Sequence, residues 1–288
     1  MTLIGILLAL LLERLLGHLP GWGRPVLFLS LMRMLHALLP DALWRSRLLP
    51  LVVVALPSGL VGWGLGQIES PLLVLGLSAL ILLLCLGPRD LAEDVHELLA
   101  ARERNDAERV AQLQRALQQG PNPGDGHRSL GGALFIQSHE KLLGVLLWFF
   151  ALGPAGAMAY RLAGRMPRFL SETAPGSAAL ATADWLHAAL AWLPARITAL
   201  VYGLAGSLDD ALAAWRRLLR DPEHEWRTQT WAVLAEVPLA SLGMEESDGA
   251  AVVPASLEAM LAEVLRMQWR ALLILLAAFA LFATGAML

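Results

Sequence analysis

The sequence predicts an all-α, polytopic integral membrane protein. We expect four transmembrane helices, one or two further partial or re-entrant helices, and amphipathic helices on the membrane surface. Of the 288 residues, 57% are apolar and only 16% are charged, whereas a soluble domain typically carries about 25% charged residues. The apolar residues form uninterrupted blocks, and no segment alternates with the period of two that is typical of a strand.

Four uncharged apolar blocks approach or reach the roughly 17–25 residues that a membrane-spanning helix needs. They are Leu48–Leu65, Leu72–Leu86, Leu142–Ala159 and Ala271–Leu288. Only Gly66–Pro71 separates the first block from the second, so we expect these two to form an antiparallel hairpin.

The N-terminal segment Thr2–Leu12 is apolar but short, and the charged pair Glu13-Arg14 follows it directly. It lacks the basic n-region and the small-residue cleavage site of a signal peptide. We therefore interpret it as a retained membrane helix or a shallow anchor.

The segment Trp185–Leu208 is long enough to span a membrane, but Pro194 and Arg196 lie near its middle. Proline lacks the N–H that a helix interior needs. We therefore predict two helical pieces that meet at Pro194, as in a broken or re-entrant helix.

Polar segments between the blocks predict extramembrane helices within a single membrane domain of residues 1–288. Apolar residues on one face favour a helical hairpin at 88–119, with Asp106 as the N-cap of its second helix. The region 209–265 is also expected to be helical and extramembrane, because Ser207-Leu208-Asp209-Asp210 resembles a capping box that opens a helix. Pro222 should stop that helix.

Two segments indicate loops by their composition. Gly120–Gly132 is rich in glycine and proline, and Met244–Gly249 is acidic. From Ser256 onward the helical pattern continues into the last apolar block, which predicts one long C-terminal helix.

The distribution of basic residues predicts the sidedness of two loops. Gly17–Arg47 carries four arginines and Gly87–Lys141 carries six and a lysine, which favours placing both in the cytoplasm. Tyr160–Arg270 carries ten arginines. Either Trp185–Leu208 crosses the membrane as well, or Leu142–Ala159 does not fully span it.

Three groups of polar residues are candidates for a functional site. Glu13-Arg14 is an interfacial anchor or a functional pair, because an ionisable residue near membrane depth is costly unless it is paired. Arg104-Asn105-Asp106 is a polar site or simply a helix cap. His139-Glu140-Lys141 directly precedes an uncharged block, where it could bind an anion, exchange protons or serve as an interfacial belt.

Small residues and prolines mark two further candidate positions. Gly153, Pro154 and Gly156 precede Tyr160-Arg161 and predict close helix packing with a kink. Arg196 is a lone charge in an apolar stretch, so we expect an anion or a carboxylate beside it, most directly Glu140 or Glu13. The alternative for Arg196 is a structural ion pair.

The sequence also excludes several classes of function. No P-loop, GxSxG, GxGxxG or metal-binding spacing of His and Cys is present, and His139-Glu140-Lys141 is not part of an HExxH zinc motif. We therefore predict neither a metal nor a cofactor, with a nucleotide or phosphate left open as a ligand. Cys85 is the only cysteine, which excludes an intrachain disulfide, and the formal net charge of −3 does not suggest nucleic acid as a partner.

Motifs along the whole chain resemble the AmpE family. They are the N-terminal MTLIGILLALLLERLL, the internal RND, HEKLLGVLLWFFALGPAGAMAYRLA and WLPARITALVYGLAGSLDDALAAW. The resemblance implies a multi-pass regulatory or sensory protein in the inner membrane of a Gram-negative bacterium, linked to cell-wall recycling and β-lactamase induction. Besides the lipid bilayer, it implies a muropeptide or cell-wall recycling proteins as partners.

The GPAGAMAYRL and PAR segments are also similar to the cobalamin-biosynthesis CobD/CbiB membrane proteins. Those proteins join an aminopropanol unit to adenosylcobyric acid in an ATP-dependent amide ligation. Their first segment is preceded by Asn-x-x-Asp-Gly, where this sequence has His139-Glu140-Lys141-Leu142-Leu143-Gly144. The departure predicts that ligase activity is absent. A membrane-embedded enzyme acting on a nucleotide- or phosphate-bearing substrate is the alternative to the regulatory function.

Overall fold

The computed structural model describes residues 2–16, 26–86, 91–118, 120–121, 129–220, 225–243, 246–247, 250–251 and 257–285. Within these residues the fold is α-helical apart from two very short paired strands, which confirms the predicted all-α class. The N-terminal helices are α1 Thr2–Leu16, α2 Val26–Leu38, α3 Asp41–Trp44, α4 Leu48–Gly66, α5 Pro71–Leu86, α6 Leu91–Glu103 and α7 Ala107–Leu117. The later helices are α8 Leu130–Ser138, the π-helical segment His139–Leu143, α9 Gly144–Thr173, α10 Ala178–Ala205, α11 Leu208–Arg220, α12 Trp226–Ser241 and α13 Leu257–Gly285.

Five helical stretches among the described residues are long and apolar enough to cross a membrane. They are Leu48–Gly66, Pro71–Glu103, Leu130–Thr173, Ala178–Ala205 and Leu257–Gly285. Residues 87–90 of the second stretch are not described. The four predicted apolar blocks lie in four of these stretches as far as they are described, with residues 286–288 of the last block outside the described residues. The remaining stretch, Ala178–Ala205, contains most of the segment that we expected to be broken.

The chain divides into two compact units. Unit 1 comprises Met1–Pro88 and Gly144–Ala191, and unit 2 comprises Arg89–Leu143 and Trp192–Leu288. The prediction of a single domain stays a prediction.

Unit 1 is built around α9. Helices α4 and α5 follow each other through the predicted short connection, but they pack mainly on other helices: α4 on α9, and α5 on both α1 and α9. Helix α1 packs on α5 and buries Gly5, Ile6 and Ala9, so the apolar N-terminal segment is a packed helix. Aromatic rings fill a second part of the core, where Phe169 lies edge-on to Phe28 at 6.4 Å and to Trp44 at 6.1 Å between ring centroids.

Unit 2 is built around α12, which packs on α11 and α8. Small side chains let these helices approach closely, and the cluster includes Ala199, Ala211, Ala214, Ala232 and Ala240. Helices α6 and α7 pack on each other as the predicted hairpin, and α13 packs on α8.

The predicted helix caps are present. Asp106 accepts a hydrogen bond from the backbone N–H of Arg109 at 3.0 Å and begins α7. The backbone N–H of Asp210 donates to Ser207 Oγ at 3.4 Å, and α11 ends at Arg220; Pro222 lies outside the described residues. Both predictions rest on local hydrogen bonding, which explains why the sequence alone revealed them.

The two predicted loops are described only in part. Residues 119 and 122–128 of the first lie outside the described residues, and α8 already begins at Leu130, where Ser129 accepts the N–H of Gly132 at 3.1 Å. In the acidic segment, β1 Glu246–Ser247 pairs antiparallel with β2 Ala250–Ala251. Helix α13 then runs on into the last apolar block, as the pattern from Ser256 predicted.

The predicted break at Pro194 is wrong, because α10 runs without interruption from Ala178 to Ala205. Proline at this position leaves the carbonyl of Leu190, four residues earlier, without its helical donor. The indole N–H of Trp148 on α9 donates to this carbonyl at 3.0 Å. A neighbouring helix therefore satisfies the freed carbonyl, and this is how membrane helices tolerate proline.

The predicted kink at the Gly153-Pro154 step is present. Gly153 has φ 67° and ψ −155° within α9, a region of backbone space that is essentially restricted to glycine. Gly156 lies just beyond the kink, and a Cβ there would come within 2.5 Å of the Trp148 carbonyl oxygen.

Candidate functional site

The segment His139-Glu140-Lys141-Leu142-Leu143 is π-helical and joins α8 to α9; we call it the π-turn. A π-helical turn inside an α-helix is rare and is found frequently at functional sites. His139 and Leu143 are buried, and Glu140 and Lys141 are half-buried. The triplet that the sequence singled out thus lies at an irregular part of the backbone in unit 2.

The His139 side chain is completely buried and faces α10. Its Nδ1 lies 2.9 Å from Oγ1 of Thr198, which is itself almost fully buried. The tautomer of the imidazole determines which of the two atoms donates. This contact connects the π-turn to α10 within unit 2.

A second buried hydrogen bond also connects this region to α10. The hydroxyl of Tyr202 donates to Ser138 Oγ at 3.1 Å, and the Tyr202 ring lies edge-on to Phe135 with 4.8 Å between centroids. The Ser241 hydroxyl on α12 donates in turn to the Tyr202 carbonyl oxygen at 3.3 Å. We call Ser138, His139, Thr198, Tyr202 and Ser241 the polar core.

Glycine at position 206 permits the close approach of α10 and α12 at the polar core. A Cβ on Gly206 would lie 2.4 Å from Ser241 Oγ and 2.7 Å from the Ser241 carbonyl oxygen. The hydroxyl groups and the imidazole can exchange hydrogen bonds or hold a proton, but they supply no negative charge. Among the described residues, no group of three or more His, Cys, Asp or Glu side chains could hold a metal ion.

Lys141 is not part of the polar core, and its side chain forms an ion pair with α6. Its ammonium nitrogen lies 3.2 Å from Oδ2 of Asp94, with both side chains largely buried. The Coulomb attraction within such a partly buried pair is stronger than within an exposed one, because less water screens it. The π-turn is therefore held from two sides, by α10 through His139 and by α6 through Lys141.

The expectation that Arg196 pairs with a carboxylate is wrong for the described part of the chain. Its guanidinium donates to the Trp192 carbonyl at 2.9 Å and to Gln229 Oε1 at 3.3 Å. Its carbon also lies 4.0 Å from the centroid of the Trp192 ring. Neutral acceptors and an aromatic face thus stabilise the charge where we had expected an acidic residue.

Arg196 and the polar core use different faces of α10. Residues two apart in an α-helix point about 200° apart, so Arg196 does not share the face of Thr198. Arg196 therefore lies on a different face of α10 from the residues of the polar core.

Tyr160 and Arg161 lie in unit 1. Tyr160 is buried and packs directly on Gly144, where a Cβ would come within 2.7 Å of the Tyr160 ring. His187 of α10 also contacts this region, with 6.1 Å between its ring centroid and that of Tyr160. Arg161 is half-buried on the next position of α9.

The remaining candidates lie at helix ends. Glu13 and Arg14 occupy the last turn of α1, half-buried and exposed respectively. Arg104 and Asn105 are exposed and form the turn between α6 and α7, where Arg104 Nε donates to the Ala100 carbonyl at 3.0 Å. Asn105 has a φ of 55°. Because Asp106 caps α7, Arg104-Asn105-Asp106 forms a helix cap, which was the alternative to a polar site in the sequence analysis.

Sequence reasoning missed most of the polar core and the partner of Lys141. Thr198 and Tyr202 carried a usable signal, because they are four residues apart and so share one face of an apolar helix. Ser138 and Ser241 carried no such signal, since single serines are common in helices of every kind.

Comparisons with known proteins agree with the all-α membrane fold. The family model described as "Regulatory signalling modulator protein AmpE" matches residues 1–284. The chain is also similar to the cobalamin biosynthesis protein CobD of Chromobacterium violaceum, with 33% identity over 248 residues that cover 78% of this chain and 73% of that protein. No solved structure matches the chain.

Proposed function

The chain belongs to the AmpE family, and on that premise we propose that it is a regulatory or sensory protein of the inner membrane in a Gram-negative bacterium. The process that it regulates is β-lactamase induction, in connection with cell-wall recycling. The match of the regulatory family model to residues 1–284 is the observation that carries this proposal. The five apolar helical stretches support a multi-pass membrane protein.

The π-turn and the polar core are the parts of unit 2 that suit a regulatory role best. A regulator needs an element with two discrete arrangements whose balance a ligand or partner can shift. A π-helical turn holds more residues per turn than an α-helix, so conversion of the π-turn to α-helix would redirect the side chains of His139 and Lys141. That change would break the contacts with Thr198 and Asp94.

We infer that the ligand or partner acts through His139, Glu140 and Lys141. These residues supply an imidazole, a carboxylate and an ammonium within one turn, which suits a ligand with both acidic and amide groups. A muropeptide has this chemistry, and a cell-wall recycling protein is the other partner that the family suggests. Neither choice requires a metal or a cofactor.

The test uses a bacterium with an inducible chromosomal β-lactamase whose homologous gene has been deleted. Plasmids supply the wild-type chain, Lys141→Ala, Thr198→Val, or the control Arg227→Ala, whose side chain pairs with Glu225 on the exposed surface of unit 2. We expect wild type and Arg227→Ala to change the ratio of induced to basal β-lactamase activity. Lys141→Ala and Thr198→Val should be less effective at equal membrane abundance. An induction ratio that does not depend on the chain at all would contradict the proposal.

A second candidate function is a membrane-embedded enzyme related to the cobalamin amide ligases, acting on a nucleotide- or phosphate-bearing substrate. The similarity to the CobD protein favours it. The replacement of the Asn-x-x-Asp-Gly pattern by the segment from His139 to Gly144 speaks against ligation. The two functions differ in their readouts, because only the enzyme would restore cobalamin synthesis.

A further inference from the structure

A group of arginines on α9 lies outside the residues used by the proposed function. Arg161, Arg165 and Arg168 follow the apolar block Leu142–Ala159, and the sequence YRLAGRMPR contains no acidic residue. Arg161 and Arg165 are one helical turn apart and therefore share a face of the helix, where like charges repel each other.

Arg165 is the member of the group that has no carboxylate partner among the residues that the structure describes. Its side chain is half-buried, and its guanidinium carbon lies 5.8 Å from the centroid of the Phe28 ring. Within the part of the chain that the structure describes, no carboxylate oxygen lies within 4.0 Å of it. Partial burial and the neighbouring Arg161 raise the free energy of this charge. The Phe28 ring at 5.8 Å offsets only part of that cost, so an anion beside Arg165 would stabilise it further.

Arg168 provides a contrast on the same helix. Its side chain is 74% exposed, and its Nε lies 4.0 Å from Glu172 Oε1 in the next turn. Water and Glu172 are sufficient for this charge. The need for an external anion therefore applies to Arg165 and not to every arginine that follows the apolar block.

We propose that Arg165, with Arg161 beside it, binds a phosphate group. Guanidinium groups bind phosphate through paired N–H donors, which makes arginine the preferred residue for this anion. The position just beyond an apolar block is where the headgroups of anionic phospholipids are found, and basic residues there attract them. The same chemistry would fit a soluble phosphate, so the test includes both sources.

The test measures thermal unfolding of the purified full-length chain in a neutral detergent. Phosphatidylglycerol, phosphatidylcholine or inorganic phosphate is titrated, with chloride matching the ionic strength. We expect phosphatidylglycerol to raise the unfolding temperature of wild type more than phosphatidylcholine does. Arg165→Gln should weaken the apparent affinity for phosphatidylglycerol about fivefold, and the matched control Arg168→Gln should leave it nearly unchanged.

If Arg165→Gln does not fold, Arg165→Lys is used in its place. This variant keeps the positive charge and loses only the paired N–H donors, so it should retain part of the phosphatidylglycerol effect. A shift that depends on Arg165 and occurs with inorganic phosphate alone would identify a soluble phosphate as the ligand. The proposal is overturned if Arg165→Gln and Arg168→Gln respond alike. It is also overturned if Arg165→Gln lowers the unfolding temperature equally in both lipids, since Arg165 would then have an internal partner.

Discussion

The indole N–H of Trp148 donates a hydrogen bond to the carbonyl oxygen of Leu190 at 3.0 Å. Leu190 lies four residues before Pro194, whose missing N–H would otherwise leave this carbonyl without a donor inside α10. A single side chain on α9 thus compensates for a proline in an uninterrupted helix. The relationship leads to a quantitative prediction.

We predict that Trp148→Phe lowers the free energy of unfolding by about 1–3 kcal/mol, because it leaves a half-buried carbonyl without its donor. The measurement is equilibrium unfolding of the purified chain in detergent. Trp185→Phe is the control, since Trp185 is half exposed on α10, and its effect should be small. Pro194→Ala restores the helical N–H, so Trp148→Phe should be less destabilising in that background. Equal losses in the two backgrounds would show that the indole is not the substitute donor.

Gly156→Ala should destabilise α9 by about 1–3 kcal/mol, the range for overpacking a close contact. The added Cβ would meet the Trp148 carbonyl oxygen at 2.5 Å and Leu152 Cβ at 2.7 Å. The first of these atoms belongs to the backbone, which cannot rotate away. Gly59→Ala on α4 is the matched control, because no atom lies within 4 Å of its Cβ position. If both variants unfold at the same temperature, the packing at the kink is looser than this contact requires.

Thr198→Val should lower the free energy of unfolding by about 1–3 kcal/mol, because it removes the hydroxyl that pairs with His139 Nδ1 in the buried core while keeping the shape of the side chain. The control is Thr182→Val on the same helix, because the Thr182 hydroxyl is exposed and donates only to the Ala178 carbonyl oxygen of its own helix, at 2.9 Å. Unfolding in detergent and NMR of His139 Nδ1 both report on the change. An unchanged imidazole signal in Thr198→Val would exclude the hydrogen bond.

The sequence was sufficient for the elements that depend on composition and local hydrogen bonds. The apolar blocks, the Asp106 cap and the kink at Gly153 follow from residues that are close together in the chain. The prediction at Pro194 was wrong because the N–H that replaces the missing proline N–H belongs to Trp148, 46 positions earlier. No local sequence pattern reveals a contact between residues so far apart in the chain. The π-turn was missed for a related reason: HEKLL is an ordinary helical sequence, and contacts with Thr198 and Asp94 accompany its irregular register.

The last prediction separates the regulator from the ligase. In a strain that lacks its own CobD protein, we expect this chain to leave growth dependent on added cobalamin. The CobD protein of Chromobacterium violaceum, expressed at equal membrane abundance, should restore growth without it. The reason is chemical: a nucleotide-dependent ligase needs carboxylate oxygens to hold Mg²⁺ and its nucleotide. The segment from His139 to Gly144 lacks the Asp-Gly of the related enzymes, and His139 contacts neutral Thr198 instead. Growth that requires this chain would overturn the prediction and favour the enzyme.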